Sequence, residues 1–183
     1  LEQSRTNLQG SDDTFPRSVC VGVLHSYGTR IATAAYKHLP FLQFAHELAK
    51  FRSIEHSHHY LSIQLNQMGP GDKLSAHSDQ TNVHLNSVFA LGECTGGRTW
   101  VEGAGQDPPP PSCTNESMPT CRGRFYNNFQ CWLDFNPQRF HCVEPVKTGD
   151  RVPVVLVTPR CSTNLSQYRR VNLSPLGSRM RME

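Results

Sequence analysis

The chain has 183 residues, enough for one domain with a substantial core, and its 37% hydrophobic content is that of an ordinary globular protein. The formal net charge is +3, but residues 159–183 carry five arginines and one acidic side chain, which leaves 13 basic and 14 acidic side chains in residues 1–158. This near neutrality gives the body of the chain no electrostatic footprint for nucleic acid, and no apolar run reaches the roughly 18 residues of a membrane-spanning helix. We expect a soluble, intracellular protein, cytoplasmic or nuclear, with no membrane partner.

The beginning of the chain predicts one strand and one helix. Residues 1–18 are polar and lack periodicity, so the ordered domain is expected to cover residues 19–160. The apolar run at residues 19–24 predicts a first strand. In residues 39–51 apolar side chains recur every three or four positions, which predicts an amphipathic helix, with Pro40 in its first turn, that packs against a sheet.

From residue 60 onward the sequence predicts short strands separated by turn residues. The predicted strands are residues 60–67, 74–79, 85–91, 98–101, 131–135, 140–145 and 151–158. This succession is typical of a barrel or a double-sheet jelly roll, so the expected class is mainly β with a flanking helix, α+β overall.

Two segments depart from the strand pattern. Residues 103–124 contain four consecutive prolines and several Ser, Thr and Asn residues, and we expect an insertion at the rim of the sheets or a flexible lid that helps to select the substrate. Residues 161–183 are rich in Ser, Asn and Arg with only isolated apolar side chains, which predicts a basic, flexible tail.

A short motif, His77-Ser78-Asp79, carries the main chemical signal. Side chains alternate faces along a strand, so His77 and Asp79 project to the same side and can bind one metal ion together. His141, 62 residues after Asp79, would complete two imidazoles and one carboxylate on one face of an iron(II), leaving the opposite face open. By itself the motif also fits two polar residues on an exposed strand edge.

Arg151 follows His141 by ten residues. The planar guanidinium is always charged and can donate two parallel hydrogen bonds to a carboxylate, which suits it to binding an organic acid. A surface arginine at the junction of a turn and a strand is the alternative interpretation.

Residues 132–156, which contain His141, a turn at Gly149 and Arg151, resemble the C-terminal half of the double-stranded β-helix core of iron(II)- and 2-oxoglutarate-dependent dioxygenases. In that superfamily a strand carries the distal iron-binding histidine, and a basic residue beyond a glycine turn holds the far carboxylate of the co-substrate. The resemblance covers roughly residues 60–160.

The resemblance implies a role for each motif residue. His77, Asp79 and His141 match the iron ligands, and Arg151 matches the residue that binds 2-oxoglutarate. The adjacent pair Gly96-Gly97 matches the paired glycines that commonly follow the strands of the first ligands. The implied cofactors are iron(II), 2-oxoglutarate and dioxygen.

Position 153 departs from the family pattern. Many members carry a hydroxyl residue two positions after the arginine to help bind the carboxylate, and here that position is Pro153. Because proline cannot donate to a sheet ladder, we expect its strand to lie at an edge or to be bulged. The adjacent strand could supply the missing donor through Tyr60, Gln64 or Asn66. Alternatively, the side chains of these residues simply point outward, away from the site.

Asn82 extends the first motif to His-x-Asp-x-x-Asn, which is similar to the string in the ten-eleven translocation and base-J-binding branch, where the asparagine helps to read a flipped base. The alternative is that Asn82 caps a turn after the metal-binding strand. Trp100 and Tyr126 could stack on such a base, although aromatic residues in a sheet protein usually belong to the core.

The remaining histidines and the cysteines give weaker signals of a functional site. Cys113 and Cys121 bracket a polar loop that a disulfide could close, and the seven cysteines include no zinc-finger spacing. The histidines at 56, 58 and 59 have no carboxylate or cysteine nearby and are expected to lie in a hydrated loop.

The favoured function is therefore an oxidoreductase that hydroxylates or oxidatively demethylates a substrate with iron(II), 2-oxoglutarate and dioxygen. Protein side chain, nucleobase and small metabolite remain open as substrates, and within this function a 5-methylpyrimidine oxidase is an alternative, although nucleic acid is not favoured. A non-catalytic β-helix binding module is the contrasting hypothesis. A third is a jelly-roll metalloprotein that uses the same ligands without an oxo acid.

Overall fold

A computed structural model describes residues 8–9, 18–25, 29–31, 40, 44, 62–114 and 121–160. Within these ranges the chain forms thirteen strands and one turn of 3-10 helix at Pro111–Cys113. The strands are β1 (Leu8–Gln9), β2 (Ser18–His25), β3 (Thr29–Ile31), β4 (Ser62–Asn66), β5 (Lys73–His77), β6 (Asn86–Leu91), β7 (Cys94–Gly96), β8 (Thr99–Asp107), β9 (Gly123–Tyr126), β10 (Trp132–Phe135), β11 (His141–Val143), β12 (Val146–Gly149) and β13 (Val152–Val157).

These strands form two antiparallel sheets and a ribbon. The first sheet has the order β1-β5-β11-β8-β9, the second has the order β10-β6-β13-β4-β2-β3, and β12 pairs with β7 alone. From β4 to β13 the chain crosses repeatedly between the two sheets, which is how a jelly roll is wound. The predicted mainly β jelly-roll fold is confirmed.

The apolar side chains of the facing strands fill the space between the sheets. Val101 from β8 packs with Val88 from β6 and with Leu133 and Phe135 from β10, all at most 9% exposed. Each of these residues alternates with an outward-facing neighbour, as the period of two in a strand requires. The polar site described below lies in the same interior, farther along β5 and β11.

The predicted strands from residue 60 onward all occur, whereas several shorter ones were not predicted. Strands β7, β9 and β12 each contain glycine, and β1 and β3 have three residues or fewer, so none carries a readable alternation. β1 lies within the polar first 18 residues and pairs with β5 through Leu8 and Leu74. No helix among the described residues is both long enough and apolar enough to cross a membrane.

Several expectations fall wholly or largely outside the described residues. Of the helix expected at 39–51, the structure describes Pro40 and Phe44, both helical and both exposed. Tyr60, the histidines at 56, 58 and 59, and the tail at 161–183 are not described.

The insertion expected at 103–124 is partly a continuation of the first sheet. β8 runs on to Asp107 and pairs with β9, with an irregularity in register between Glu102 and Asp107. Beyond it, the turn ending at Cys113 packs in a buried cluster with Trp100 and Cys142. The described part of the insertion therefore covers a face of the first sheet.

The expectation that the strand of Pro153 lies at an edge or is bulged is wrong, because β13 lies inside the second sheet between β6 and β4 and pairs with both without a shift in register. Pro153 pairs with Ala90 of β6, while the ladder to β4 begins one residue later, at Val154 opposite Leu65. Pairing on the β4 side resumes beyond the proline, where Arg151 and Met68 exchange backbone hydrogen bonds, so the missing N–H of Pro153 leaves a gap in that ladder.

Candidate metal and carboxylate site

Three potential metal ligands meet at the neighbouring ends of β5 and β11. His77 stands directly opposite His141 in the antiparallel pair, and their ring centroids are 4.3 Å apart. Asp79, two residues beyond His77, places Oδ1 3.8 Å from His77 Nε2 and Oδ2 3.8 Å from His141 Nε2. One potential ligand atom from each residue lies within 4.8 Å of the others, so one ion can reach all three.

Backbone carbonyls fix the orientation of both imidazoles. His77 Nδ1 lies 2.8 Å from the carbonyl oxygen of Ser75, and His141 Nδ1 lies 2.9 Å from that of Arg139. Because a carbonyl can only accept, Nδ1 carries the hydrogen in each ring and Nε2 keeps its lone pair. This arrangement is the one that metal-binding histidines adopt.

Two asparagines orient the carboxylate. Asn86, which is 1% exposed, donates from Nδ2 to Asp79 Oδ2 at 3.0 Å, and Asn82 Nδ2 lies 3.4 Å from the same oxygen. Asn82 Nδ2 also donates to Asn86 Oδ1 at 3.0 Å, which directs the Asn86 amide nitrogen toward Asp79. Sequence reasoning missed Asn86, since nothing in the pattern distinguishes it from other strand residues.

We predict that Asn86→Ala weakens metal binding roughly 10- to 100-fold, because the carboxylate loses the amide that orients it. Asn82→Ala is expected to have a smaller effect, since its contact with Asp79 is longer. Calorimetric titration with Mn²⁺ measures both affinities, and circular dichroism checks that each variant is folded. Equal affinities for Asn86→Ala and the unaltered protein would contradict the assignment.

Arg151 is a buried cation without an acidic neighbour among the described residues. It is 2% exposed, and Nη1 lies 3.6 Å from Met68 Sδ. Nη2 donates to Thr99 Oγ1 and to Asn128 Oδ1, each at 3.1 Å. Burial lowers the pKa of the guanidinium to about 10. Because a buried charge is costly when no opposite charge accompanies it, Arg151 is suited to receive an anion.

Thr99 and Asn128 lie beside this guanidinium, and neither was predicted from the sequence. Both are buried, and Thr99 Oγ1 donates to Asn128 Oδ1 at 3.2 Å. Asn128 Nδ2 is buried without a hydrogen-bond partner. A buried donor of this kind is rare in folded proteins and marks a place where an acceptor fits.

A single cavity between the sheets joins the metal ligands to Arg151. Its walls include His77, Asp79, Asn86, Thr99, His141, Arg151 and Pro153, with Asn66, Met68, Leu74, Val88, Phe135, Cys142, Val143 and Val155. Asn66 thus reaches the cavity from β4, although its Oδ1 accepts hydrogen bonds from Ser18 and Gln64. Gln64 is buried and does not line the cavity.

Gly97 allows Arg151 to pass close to the backbone. A Cβ at Gly97 would lie 2.9 Å from Arg151 Cδ and 3.2 Å from Val146 Cγ2, and its φ of +67° is one that other residues rarely adopt. Gly71 has a similarly positive φ of +87°, but no atom lies within 4 Å of its Cβ position. Comparing the two glycines therefore separates the cost of a positive φ from the cost of steric overlap with neighbouring side chains.

We predict that Gly97→Ala lowers the free energy of unfolding by about 1 kcal/mol more than Gly71→Ala, because only the first also displaces the Arg151 side chain. Urea unfolding of both variants measures the difference. Equal losses would indicate that Arg151 can move aside without cost.

Solved structures provide the comparison with known proteins. NgTET1 in complex with 5mC DNA matches with a TM-score of 0.54 and 13% identity over 88% of this chain and 70% of its own. The chain shares its fold with NgTET1. The chain is also similar to a 2OG-Fe(II) oxygenase family oxidoreductase from Burkholderia pseudomallei, with a TM-score of 0.49 and 14% identity over 78% of this chain and 67% of that one. A Pseudomonas putida prolyl-4-hydroxylase matches with a TM-score of 0.43 and 13% identity over 87% of this chain and 77% of its own. No family model matches the sequence, and no curated protein does.

The residues proposed to contact substrate occupy different places. Trp100 is fully buried and pairs with Cys142, the neighbour of His141, so by strand alternation it points to the opposite face of the sheet from His141. Tyr126 is partly buried against the core between the sheets. Asn82 is 7% exposed, and its N–H bonds to the Asp79 carbonyl at 3.1 Å, which is the turn expected after the metal-binding strand.

Proposed function

We propose that the protein is an iron(II)- and 2-oxoglutarate-dependent dioxygenase that hydroxylates or oxidatively demethylates a substrate still to be identified. One observation carries this proposal: a single cavity holds a two-histidine, one-carboxylate ligand set together with a buried arginine that forms no ion pair with any acidic residue in the described part of the chain. The ligand set alone fits many metalloproteins. The arginine adds a binding place for an organic acid beside the metal.

The donor set fits iron(II). His77, Asp79 and His141 would hold the metal through two imidazole nitrogens and one carboxylate oxygen, which leaves positions open for other ligands. When bound, the iron supplies the redox chemistry that couples decarboxylation of the oxo acid to oxidation of the substrate. The protein contributes preorganisation, since carbonyls fix both rings and Asn86 fixes the carboxylate before any metal arrives.

The surroundings of Arg151 fit the distal carboxylate of 2-oxoglutarate. The acid would offset the charge of the buried guanidinium, and Asn128, whose Oδ1 accepts from Arg151 Nη2 at 3.1 Å, would hold the guanidinium in place for it. Thr99, whose hydroxyl contacts Arg151, would supply the hydroxyl group that many family members carry at the position of Pro153. The apolar cavity walls exclude water and so strengthen these contacts.

Asn128→Asp is expected to weaken 2-oxoglutarate binding at least 10-fold, because a second carboxylate would repel the ligand and neutralise Arg151. Asn127→Asp is the matched control, since Asn127 is the exposed neighbour of the same residue type. Calorimetric titration of 2-oxoglutarate into the Mn²⁺-loaded protein measures the affinity. Similar affinities for the two variants would remove Asn128 from the co-substrate site.

The function itself is tested by turnover. With iron(II), 2-oxoglutarate and a broad substrate panel, we expect succinate release coupled to oxygen consumption, and we expect both to be lost in His77→Ala. Metal binding without any oxo-acid turnover would favour the metalloprotein that needs no oxo acid. Failure to bind iron and to turn over the oxo acid would favour the non-catalytic binding module.

The nucleobase alternative gains no support from Asn82. NgTET1 was solved with 5mC DNA, but in the present chain the Asn82 amide contacts Asp79 and Asn86. An amide engaged in this way orients the metal ligand, and reading a base would require it to leave both partners. We therefore propose a positioning role for Asn82 and leave the substrate class open.

A further inference from the structure

The face of the first sheet opposite His141 carries a cluster of thiols that the proposed oxygenase reaction does not use. Six cysteines are described, and none of them forms a disulfide: Cys20, Cys94, Cys113, Cys121, Cys131 and Cys142. Only Cys113 and Cys142 are buried, at 2% and 0% exposure, and both belong to one cluster with Trp100. Cys121 packs at the edge of the same cluster. The disulfide considered between Cys113 and Cys121 is thus not formed.

The two buried thiols come from separate segments that are held against each other. Cys142 lies in the middle of β11, and Cys113, 29 positions earlier, ends the turn Pro111–Cys113. The Cys113 thiol lies 3.2 Å from the carbonyl oxygen of Val143, the residue after Cys142, and the two cysteines pack in one buried cluster. The two side chains are therefore held close together before any reaction.

Several contacts keep the turn in this position. The N–H of Cys113 donates to the Pro110 carbonyl at 2.9 Å, and the two prolines at 110 and 111 restrict the backbone that leads to it. Lys73 of β5 donates from Nζ to the carbonyl of Ser112. The thiol pair is consequently preorganised, which raises the effective concentration of one sulfur at the other.

We propose that Cys113 and Cys142 form a redox-active pair that closes to a reversible disulfide. With hydrogen peroxide as the oxidant, one thiol attacks a peroxide oxygen to give a sulfenic acid and water. The second thiol then displaces the sulfenic oxygen as a second water, so that two S–H bonds and one O–O bond are exchanged for one S–S bond. The bond would fasten the insertion to the strand that carries His141 on its other face.

The electronic setting of Cys113 supports its role as the attacking group. Hydrogen bonds with Cys142 and Ser112, together with the nearby Lys73 charge, lower the pKa of the Cys113 thiol to about 7, although burial opposes them. The thiolate is the nucleophilic form of cysteine, so Cys113 is expected to react before the half-buried Cys121, whose thiol pKa is raised by burial.

Mass spectrometry of the whole chain tests the pair. Protein reduced with dithiothreitol, desalted and treated with hydrogen peroxide is digested, and we expect one peptide that joins residues 113 and 142, lighter by two hydrogen atoms than its reduced parts. Dithiothreitol should separate it again. The closed form should also melt roughly 5 to 10 °C higher than the reduced form, because the cross-link restricts the unfolded chain.

Variants and alternative products complete the test. Cys113→Ser should abolish the joined peptide, whereas Cys131→Ser, at the exposed cysteine, should leave it unchanged. A joined peptide of 113 with 121, or of 121 with 142, would overturn the assignment. So would oxidation confined to Cys131, and because this outcome is read on the unaltered protein, it does not depend on how any variant folds.

Discussion

Replacing His141 with alanine is expected to weaken metal binding more than about 100-fold and to reduce succinate release to background. A residue that merely supports a ligand costs 10- to 100-fold when removed, and His141 is proposed to be a ligand itself. The ring is 5% exposed and packs 4.7 Å from Phe135 and 4.3 Å from His77, centroid to centroid. Its removal should therefore also cost roughly 2 kcal/mol of stability through the cavity it leaves.

The control for this prediction is His84→Ala. His84 is exposed and lies only a few residues beyond the motif His77-Ser78-Asp79, so replacing it removes an imidazole without changing the site. Calorimetric titration with Mn²⁺, run beside urea unfolding, separates lost binding from lost structure. Unchanged metal affinity in a folded His141→Ala protein would rule out the proposed centre.

Arg151→Met is expected to abolish 2-oxoglutarate binding, with an affinity loss of at least 100-fold, while leaving the free protein as stable as before or more stable. Burial lowers the guanidinium pKa to about 10, well below its ordinary value, which corresponds to roughly 3 kcal/mol by which the folded state disfavours the charge. Methionine keeps the apolar stem and removes that cost. Thr99 still donates to Asn128, so no buried acceptor loses its only partner.

The pH dependence of this stability difference follows from the direction of the shift. Below about pH 10 Arg151 is charged in both the folded and the unfolded chain, so the cost of burying the charge is fully present. As the pH rises above about 10, the folded chain loses the proton before the unfolded chain does, and the cost declines. The difference between Arg151→Met and the unaltered protein should therefore stay constant between about pH 6 and pH 9.

Urea unfolding across that pH range measures the stability difference, and Arg98→Met provides the control. Arg98 is paired with Glu144 at the surface, with Nε 2.6 Å from Oε1, so its removal should leave 2-oxoglutarate affinity unchanged. Retained co-substrate binding in Arg151→Met, or a large loss of stability, would show that the arginine serves the fold.

The sequence predicted the parts of the site that follow from short-range geometry. His77 and Asp79 lie close together as expected, but β5 ends at His77, so the chain beyond the strand, and not strand alternation, brings Asp79 to the site. The spacing from His141 to Arg151 pointed to the second half of the site through its resemblance to a known family. The residues that orient these groups were not predictable in this way. Thr99 and Asn128 reach Arg151 from segments that are remote in sequence. Asn86 is only seven residues from Asp79, but nothing in the sequence pattern marks it as the residue that contacts the carboxylate.

The errors of the sequence-based analysis have the same origin. Pro153 was expected to mark an edge or bulged strand because proline interrupts a ladder, but β13 lies inside the second sheet, and backbone pairing on the β4 side continues before and after the proline. Trp100 was a candidate for the substrate surface, yet the register of β8 against β11 turns it away from His141. Strand register depends on tertiary pairing, and neither composition nor spacing reveals it.

The opposition of His77 and His141 across neighbouring strands also bears on how the molecule reaches its native state. The intervening chain has to cross between the sheets several times before β5 and β11 can pair, and the entropy of closing such a loop is lost before the contact returns any energy. Folding is therefore expected to be slow for a chain of this length. The appearance of metal affinity during refolding would mark the late step at which β11 docks.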